Sequence, residues 1–153
     1  MFIGAFRDEA AESAMLAFLE RALPVTVLSA VVMQELAAGA RTAAHVRKLE
    51  QAIFNPFERR QRVFTPSAEA FAASGRLIAQ LATREGWSRL HEKPSLLNDA
   101  LIATSCRERG ITLITNDRDY DRFRPLLKRW TTAAPWPRLG TRAVSTQSPC
   151  RSH

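Results

Sequence analysis

The sequence predicts an α/β domain, because short runs rich in β-branched residues alternate with longer segments of helical periodicity along its 153 residues. Hydrophobic residues make up 46% of the chain and charged residues 24%, a balance typical of one folded domain rather than a disordered segment. No apolar run approaches the roughly 18 residues that a membrane-spanning helix needs. We therefore expect one α/β domain that does not cross a membrane.

The first half of the chain predicts three helices and two short strands. In chain order these are a helix over 8–22, a strand over 24–29, a helix over 30–39, a helix over 42–53 and a brief strand over 63–65. Ser29 is a suitable N-cap for the helix after the first strand, and Asn55-Pro56 is expected to end the third helix.

The second half predicts a further helix-strand repeat. The predicted elements are a helix over 67–86, a loop over 88–95, a helix over 97–109, a strand over 111–115 and a last helix over 118–130. Ser67 can cap the first of these helices, and Gly110 suits the residue that ends the second. Strands that alternate with helices imply a parallel sheet covered on both faces.

The end of the chain differs in composition from the rest. Residues 131–153 are rich in Pro, Ser, Thr and Arg, so we place one domain at 1–136 and a basic, flexible tail at 137–153. The net charge of +7 and the pI near 10.6 favour polyanionic partners, although a solvated basic face explains the same charge. The two cysteines, Cys106 and Cys150, form no disulfide framework, and the N-terminus lacks a signal-peptide pattern. These features favour the cytoplasm.

Three acidic residues lie, wholly or in part, where an α/β sheet concentrates its chemistry, near the carboxyl ends of strands; the placement is direct for Asp117 and Glu35 and indirect for Asp99. Asp117 comes after the strand over 111–115, Glu35 lies about two turns into the helix after the first strand, and Asp99 opens the helix before the strand over 111–115. Each has a structural alternative: Asp99 could cap its helix, Asp117 could be a turn residue or cap, and Glu35 could lie on an exposed face.

Taken together, these acids suggest a carboxylate cluster that requires a counter-charge. Two carboxylates about 4 Å apart repel by roughly 4 kcal/mol at an effective dielectric constant near 20. A divalent cation removes this cost, and oxygen ligands without neighbouring His or Cys suit Mg²⁺ or Mn²⁺. Such sites typically cleave or transfer phosphodiesters.

At these residues the sequence resembles the PIN domain family, and within it the VapC-type toxin ribonucleases of type II toxin–antitoxin systems. One matching segment runs from Leu28 to Gly39 and contains Glu35-Leu36-Ala37-Ala38-Gly39. The other runs from Asn98-Asp99-Ala100 to Thr115-Asn116-Asp117-Arg118-Asp119-Tyr120. The resemblance implies a three-layer α/β/α fold with a central parallel sheet.

The resemblance also implies the site. It makes Glu35, Asp99 and Asp117 ligands of Mg²⁺ or Mn²⁺, with Asp119 as a further candidate that could instead support the loop beside Tyr120. Thr115 is implied to order the attacking water. The implied reaction is hydrolysis of RNA, such as tRNA or rRNA, with phosphates held by arginines among Arg41, Arg59, Arg60, Arg62 and Arg118. A cognate antitoxin and a homodimer are the implied partners.

One departure from the family pattern concerns its first acid. Phe2-Ile3-Gly4-Ala5-Phe6 matches the family residues that lie after that acid, so the missing Asp and most of a central first strand would fall before Met1. Asp8 comes too late in the chain to replace it. We expect a natural start upstream.

Two alternatives to the nuclease stay open. One is a catalytically impaired PIN-like module that binds RNA or a partner, and the other is a small α/β protein that uses these acids as caps. The chain has no Gly-rich phosphate loop, which disfavours nucleotide-cofactor chemistry.

Overall fold

The computed structural model describes residues 9–91 and 93–135. The segment Phe2-Ile3-Gly4-Ala5-Phe6 and Asp8 therefore lie outside the described residues, as do Trp136, Cys150 and the predicted tail. Both domain boundaries, 1–136 and 137–153, stay predictions. Within the described residues, no helix is long and apolar enough to cross a membrane.

The first described elements bear out the predicted order of helix, strand and helix. They are helix α1 (Glu9–Ala22), a 3₁₀ turn (Leu23–Val25), strand β1 (Leu28–Ser29) and helix α2 (Ala30–Gly39). The Ser29 hydroxyl accepts a hydrogen bond from the Val31 amide and caps α2, as predicted. The strand is shorter than the predicted run over 24–29, because Pro24 and Val25 belong to the 3₁₀ turn.

The next helical segment does not end at Asn55-Pro56, which corrects the prediction. Helix α3 (Ala43–Leu49) continues through a π-helical turn (Glu50–Phe54) into helix α4 (Asn55–Glu58). Pro56 is the second residue of α4 and comes directly after the π-helical turn, so it lies within the helical segment and does not end it. Strand β2 (Val63–Phe64) comes next, as predicted.

The long helix and the densest predicted segment are confirmed. Helix α5 (Ala68–Glu85) is capped by the Ser67 hydroxyl, which accepts from the Ala70 amide, and helix α7 (Leu96–Arg109) ends at Gly110 with a φ of 63°. Between them, helix α6 (Trp87–His91) occupies part of the predicted loop. Strand β3 (Leu113–Ile114) is the core of the predicted strand over 111–115.

The last predicted helix is wrong, and one strand was missed. Residues Arg118–Phe123 form a 3₁₀ helix, and Pro125 then supplies no N–H for an α-helical ladder. The 3₁₀ helix ends at Phe123, Arg129 has a φ of 60°, and Thr132–Ala133 form strand β4. Two residues carry no periodicity, so this strand is visible only through its pairing.

The described strands form two separate parallel pairs. Leu28 and Ser29 of β1 pair with β2, and Leu113 and Ile114 of β3 pair with β4. The parallel direction was predicted, and helix content dominates the described chain. A single central sheet in three layers stays a prediction.

Two apolar cores support these pairs. One contains α5, α7 and the 3₁₀ helix, with Leu81, Ala100 and Phe123 fully buried. The other contains α1, α3, the π turn and α4, with Met15, Ile53 and Phe57 fully buried. Val32 of α2 packs against both cores. Helix α2 thus lies between them and positions the first candidate site residue, Glu35.

Candidate active site

A cavity of about 1010 Å³ opens beside all four described strands. Its wall includes Leu28 and Ser29 of β1, Phe64 of β2, Leu113 of β3 and Ala133 of β4. The polar residues of the wall include four of the residues that the sequence singled out, namely Glu35, Asp99, Thr115 and Asp117, together with Asn98 and Tyr120 from the same motifs. The structure therefore brings four of the five predicted site residues to one cavity and leaves Asp119 off its wall.

Asp99 is the buried member of this group. It lies in the first turn of α7 and is only 7% exposed. The helix begins after Ser95, whose carbonyl accepts from the Asp99 amide, so Asp99 is inside the helix and is not its cap. The pKa of Asp99 is raised to about 6, chiefly by burial. A hydrogen bond with Tyr120 opposes this rise, and the negative charges of Asp117, Glu35 and Asp119 add to it.

Glu35 reaches the cavity from α2 and is held by α7. Its Oε1 accepts a hydrogen bond of 2.9 Å from Asn98 Nδ2. Glu35 is partly buried, so its exposure is intermediate between the buried and the exposed positions that the sequence allowed. Because Asn98 and Asp99 are adjacent, the start of α7 both positions Glu35 and supplies a second carboxylate.

Asp117 and Thr115 form the turn at the end of β3. The Thr115 Oγ1 accepts from the Asp117 amide at 3.1 Å, and Asp117 Oδ1 accepts from the Asp119 amide at 2.8 Å. Asp117 is therefore the N-cap of the 3₁₀ helix, as one alternative predicted, and its side chain also lines the cavity. The cap and the site role are compatible, because a carboxylate has two oxygens and several acceptor sites.

Asp119 has a different partner. Both of its carboxylate oxygens accept from Lys93 Nζ, at 2.5 and 2.7 Å. Neither residue lines the described cavity. The sequence did not single out Lys93, since it lies 26 residues from Asp119 in a segment predicted as loop.

Tyr120 lines the same cavity as the acidic residues and is only 6% exposed. Its ring lies edge-on to Phe123, with 6.1 Å between centroids, and 6.2 Å from Trp130. Burial and the nearby Asp99 carboxylate raise the pKa of Tyr120 far above its ordinary value, so its hydroxyl remains a hydrogen-bond donor. The sequence identified Tyr120 as part of the motif but did not predict its hydrogen bond with Asp99.

One known family matches most of the chain. The model of the PIN domain matches residues 1–125. The chain belongs to the PIN domain family. PIN domains are generally metal-dependent nucleases that act on RNA or DNA and typically use divalent cations. No curated protein matches the chain.

The donor atoms of this PIN domain fit a hard divalent cation, which prefers carboxylate and hydroxyl oxygens. The charges that act on Asp99 among the described residues are all negative, so a cation would relieve an existing repulsion. The described residues do not, however, gather three His, Cys, Asp or Glu side chains closely enough to hold an ion as they stand. The chemistry of the donors fits, and binding would require the side chains to move closer together.

Basic residues surround the PIN site unevenly. Arg62 is the one Lys or Arg on the described wall of the cavity, and β1 fixes its backbone, because the Arg62 carbonyl accepts from the Leu28 amide at 2.8 Å. The other arginines singled out by the sequence are exposed, namely Arg41, Arg59, Arg60 and Arg118. Arg59 and Arg60 line a separate pocket of about 250 Å³ with Gln51, Asn55 and Pro56.

Proposed function

We propose that the protein is a divalent-cation-dependent endoribonuclease in which Glu35, Asp99 and Asp117 hold Mg²⁺ or Mn²⁺. One observation carries this proposal: the buried Asp99, with its pKa raised to about 6, faces other carboxylates in one cavity. A structural cap or a surface acid gains nothing from such a position, whereas a cation ligand does. Membership of the PIN family supports the same chemistry.

A bound divalent cation supplies a Lewis acid that activates water and stabilises charge on the leaving oxygen. The chain itself supplies orientation. Asn98 holds Glu35, and Tyr120 holds Asp99. The Thr115 hydroxyl accepts from the Asp117 amide, so its own O–H can donate to the attacking water.

We propose that Arg62 binds a phosphate of the RNA beside the scissile bond. It is partly buried and lines the same cavity as the carboxylates. A guanidinium binds phosphate oxygens in a fixed fork geometry, which suits positioning. The exposed Arg41, Arg59, Arg60 and Arg118 extend the positive field, and the net charge of +7 favours a polyanion.

The finer assignments rest on the motif resemblance. We propose a VapC-type toxin that is neutralised by a cognate antitoxin, forms a homodimer and acts in the cytoplasm on an RNA such as tRNA or rRNA. We also propose the three-layer fold of 1–136 and the basic tail of 137–153. The antitoxin is tested in two steps. The protein encoded beside this chain should copurify with it, and removal of that partner should restore nuclease activity.

The test of the nuclease is cleavage of structured RNA by the purified chain with Mg²⁺ or Mn²⁺, with EDTA, and by Asp99→Asn. We expect cleavage that requires the cation and is lost in Asp99→Asn. The matched control is Glu58→Gln, an exposed acid that does not line the cavity.

A second candidate is a PIN-like module that binds RNA without cutting it. It is favoured by the lack of a preformed group of three metal ligands among the described residues. This candidate would replace the nuclease if a gel-shift assay shows RNA binding that neither EDTA nor Asp99→Asn changes, and if the folded protein does not cleave RNA.

A further inference from the structure

The two carboxylates of the Asp117–Asp119 turn have different surroundings. Asp117 lines the cavity, whereas Asp119 is absent from its described wall and both its oxygens accept from Lys93. The Asp119 amide donates to Asp117 Oδ1, so the backbone of one acid orients the side chain of the other. Asp119 therefore contacts Asp117 through its backbone amide and Lys93 through its carboxylate, and the Lys93 ammonium balances its charge.

The position of Lys93 is set by its backbone. Its amide donates to the Leu90 carbonyl, and its carbonyl accepts from the Leu96 amide, both at 3.1 Å. Lys93 therefore belongs to the short connection between α6 and α7. The same connection leads directly into the first turn of α7, which carries Asn98 and Asp99, so the ion pair joins the segment that supplies Asp99 to the one that supplies Asp117.

We propose that Lys93 is a positioning residue that keeps Asp119 out of the cation's ligand set, so that among the described acids the cation is held by Glu35, Asp99 and Asp117. This inference rests on the proposed function. It reassigns Asp119, which the motif resemblance made a candidate ligand, to the outer support of Asp117. Lys93 thereby determines how much negative charge the cation meets.

The Lys93–Asp119 ion pair contributes little to the stability of the fold. The Lys93 side chain is 47% exposed and that of Asp119 is 22% exposed. Ion pairs at such positions contribute little to folding, because water screens them and two side chains must be ordered. Removal of one member of the pair changes the net charge near the cation by one unit, and each unit charge acts on a double charge.

The test measures Mn²⁺ binding to the full chain by electron paramagnetic resonance and calorimetry. Lys93→Met leaves Asp119 unpaired and is expected to tighten binding by about three- to tenfold, while Asp119→Asn leaves Lys93 unpaired and is expected to weaken it by a similar factor. The double variant removes a neutral pair, so we expect an affinity within about twofold of the wild type. Lys93→Arg should also retain the wild-type affinity.

Two results would overturn the inference. If Asp119 is a ligand, Asp119→Asn and the double variant both lose at least tenfold in affinity. If the pair lies too far from the cation, all variants bind equally. Failure of the proposed function looks different, because the wild type then binds no Mn²⁺ or Asp99→Asn binds it equally well.

The chain offers a matched control. Lys48 and Glu12 form a pair at 2.6 Å whose side chains are 45% and 21% exposed, almost the same as Lys93 and Asp119, and neither lines the cavity. Lys48→Met and Glu12→Gln should leave Mn²⁺ affinity unchanged. Thermal unfolding by circular dichroism checks that every variant is folded.

Discussion

The Asn98 side-chain amide donates a 2.9 Å hydrogen bond to Glu35 Oε1 and so joins α7 to α2 across the acidic cavity. The two residues are 63 positions apart in the chain. Glu35 comes from a largely apolar helix, and Asn98 precedes the buried Asp99. One amide therefore links the helix that carries Glu35 to the helix that carries Asp99.

Asn98→Ala is expected to reduce RNA cleavage about tenfold with little change in fold. Loss of the amide frees the Glu35 side chain to turn into water, and a misplaced carboxylate binds the cation and orients the reaction less well. The measurement is single-turnover RNA cleavage at several Mn²⁺ concentrations. Gln34→Ala removes an exposed amide from the same helix and should cleave at the wild-type rate. Equal rates for Asn98→Ala and the wild type would contradict this role.

Asp99→Asn is expected to stabilise the cation-free protein at neutral pH. The pKa of Asp99 is raised from 3.8 to about 6 on folding, so the folded state binds this proton more tightly than the unfolded state. The contribution of protonated Asp99 to the free energy of unfolding is therefore complete below about pH 4 and is lost as the pH rises through 6. The loss is on the order of 3 kcal/mol, at 1.36 kcal/mol per pKa unit. An uncharged asparagine avoids that loss.

Urea unfolding at pH 7 and pH 4 measures this effect. We expect Asp99→Asn to exceed the wild type in free energy of unfolding at pH 7 and to match it at pH 4. Glu58→Gln, at an exposed position, should match the wild type at both. A variant that is less stable than the wild type at pH 7 would show that the Asp99 carboxylate is stabilised by its surroundings, contrary to this account.

Local signals in the sequence predicted most of the helices. Met15, Phe18, Leu19 and Ala22 are all buried on α1, and hydroxyl caps at Ser29 and Ser67 act where the sequence placed them. These features depend on residues within one or two turns. The strands were predicted less well in extent, because each described strand has two residues and depends on a partner distant in sequence.

In the site, too, local motifs were predicted from the sequence and contacts between distant residues were not. The sequence brought Glu35, Asp99, Thr115 and Asp117 together through motifs, and the cavity contains all four. The sequence did not predict the Lys93–Asp119 pair or the Asn98–Glu35 bond, since a charge or an amide in a segment gives no sign of its partner. Such contacts become visible only when α2, α7 and the 3₁₀ helix are packed.

Tyr120→Phe is expected to shift cation binding to higher pH. The Tyr120 hydroxyl lowers the pKa of Asp99, so its removal raises that pKa further and leaves a larger protonated fraction near pH 6. Protons and Mn²⁺ compete for the same carboxylate, and the affinity at pH 6 should therefore fall more than the affinity at pH 8. Calorimetric titration at both values measures the difference.

The phenylalanine ring preserves the packing against Phe123 and Trp130, so the fold is retained and the cost in stability is about 1 kcal/mol. An equal loss of Mn²⁺ affinity at pH 6 and pH 8 would indicate a change of shape at the site rather than a change in the proton affinity of Asp99.

Arg122→Met is expected to destabilise the protein by about 1–2 kcal/mol and to weaken cation binding. Arg122 Nε and Nη2 both donate to Glu85 Oε2, and the side chains are only 19% and 29% exposed. The pair fastens the 3₁₀ helix, which carries Asp119 and Tyr120, to the end of α5. Partly buried guanidinium bonds of this kind contribute more than exposed pairs.

Arg124 provides the comparison, because it pairs with Asp121 in the same segment while both side chains are more than half exposed, at 54% and 61%. Arg124 also donates to Thr132 Oγ1 at an exposed position, and we expect Arg124→Met to cost less than about 1 kcal/mol. Urea unfolding gives the stabilities, and Mn²⁺ titration tests the site. If the two variants lose equal stability, the partial burial of Arg122 confers no advantage. If Arg122→Met is destabilised but binds Mn²⁺ normally, the α5 contact supports the fold without positioning Asp117 and Tyr120.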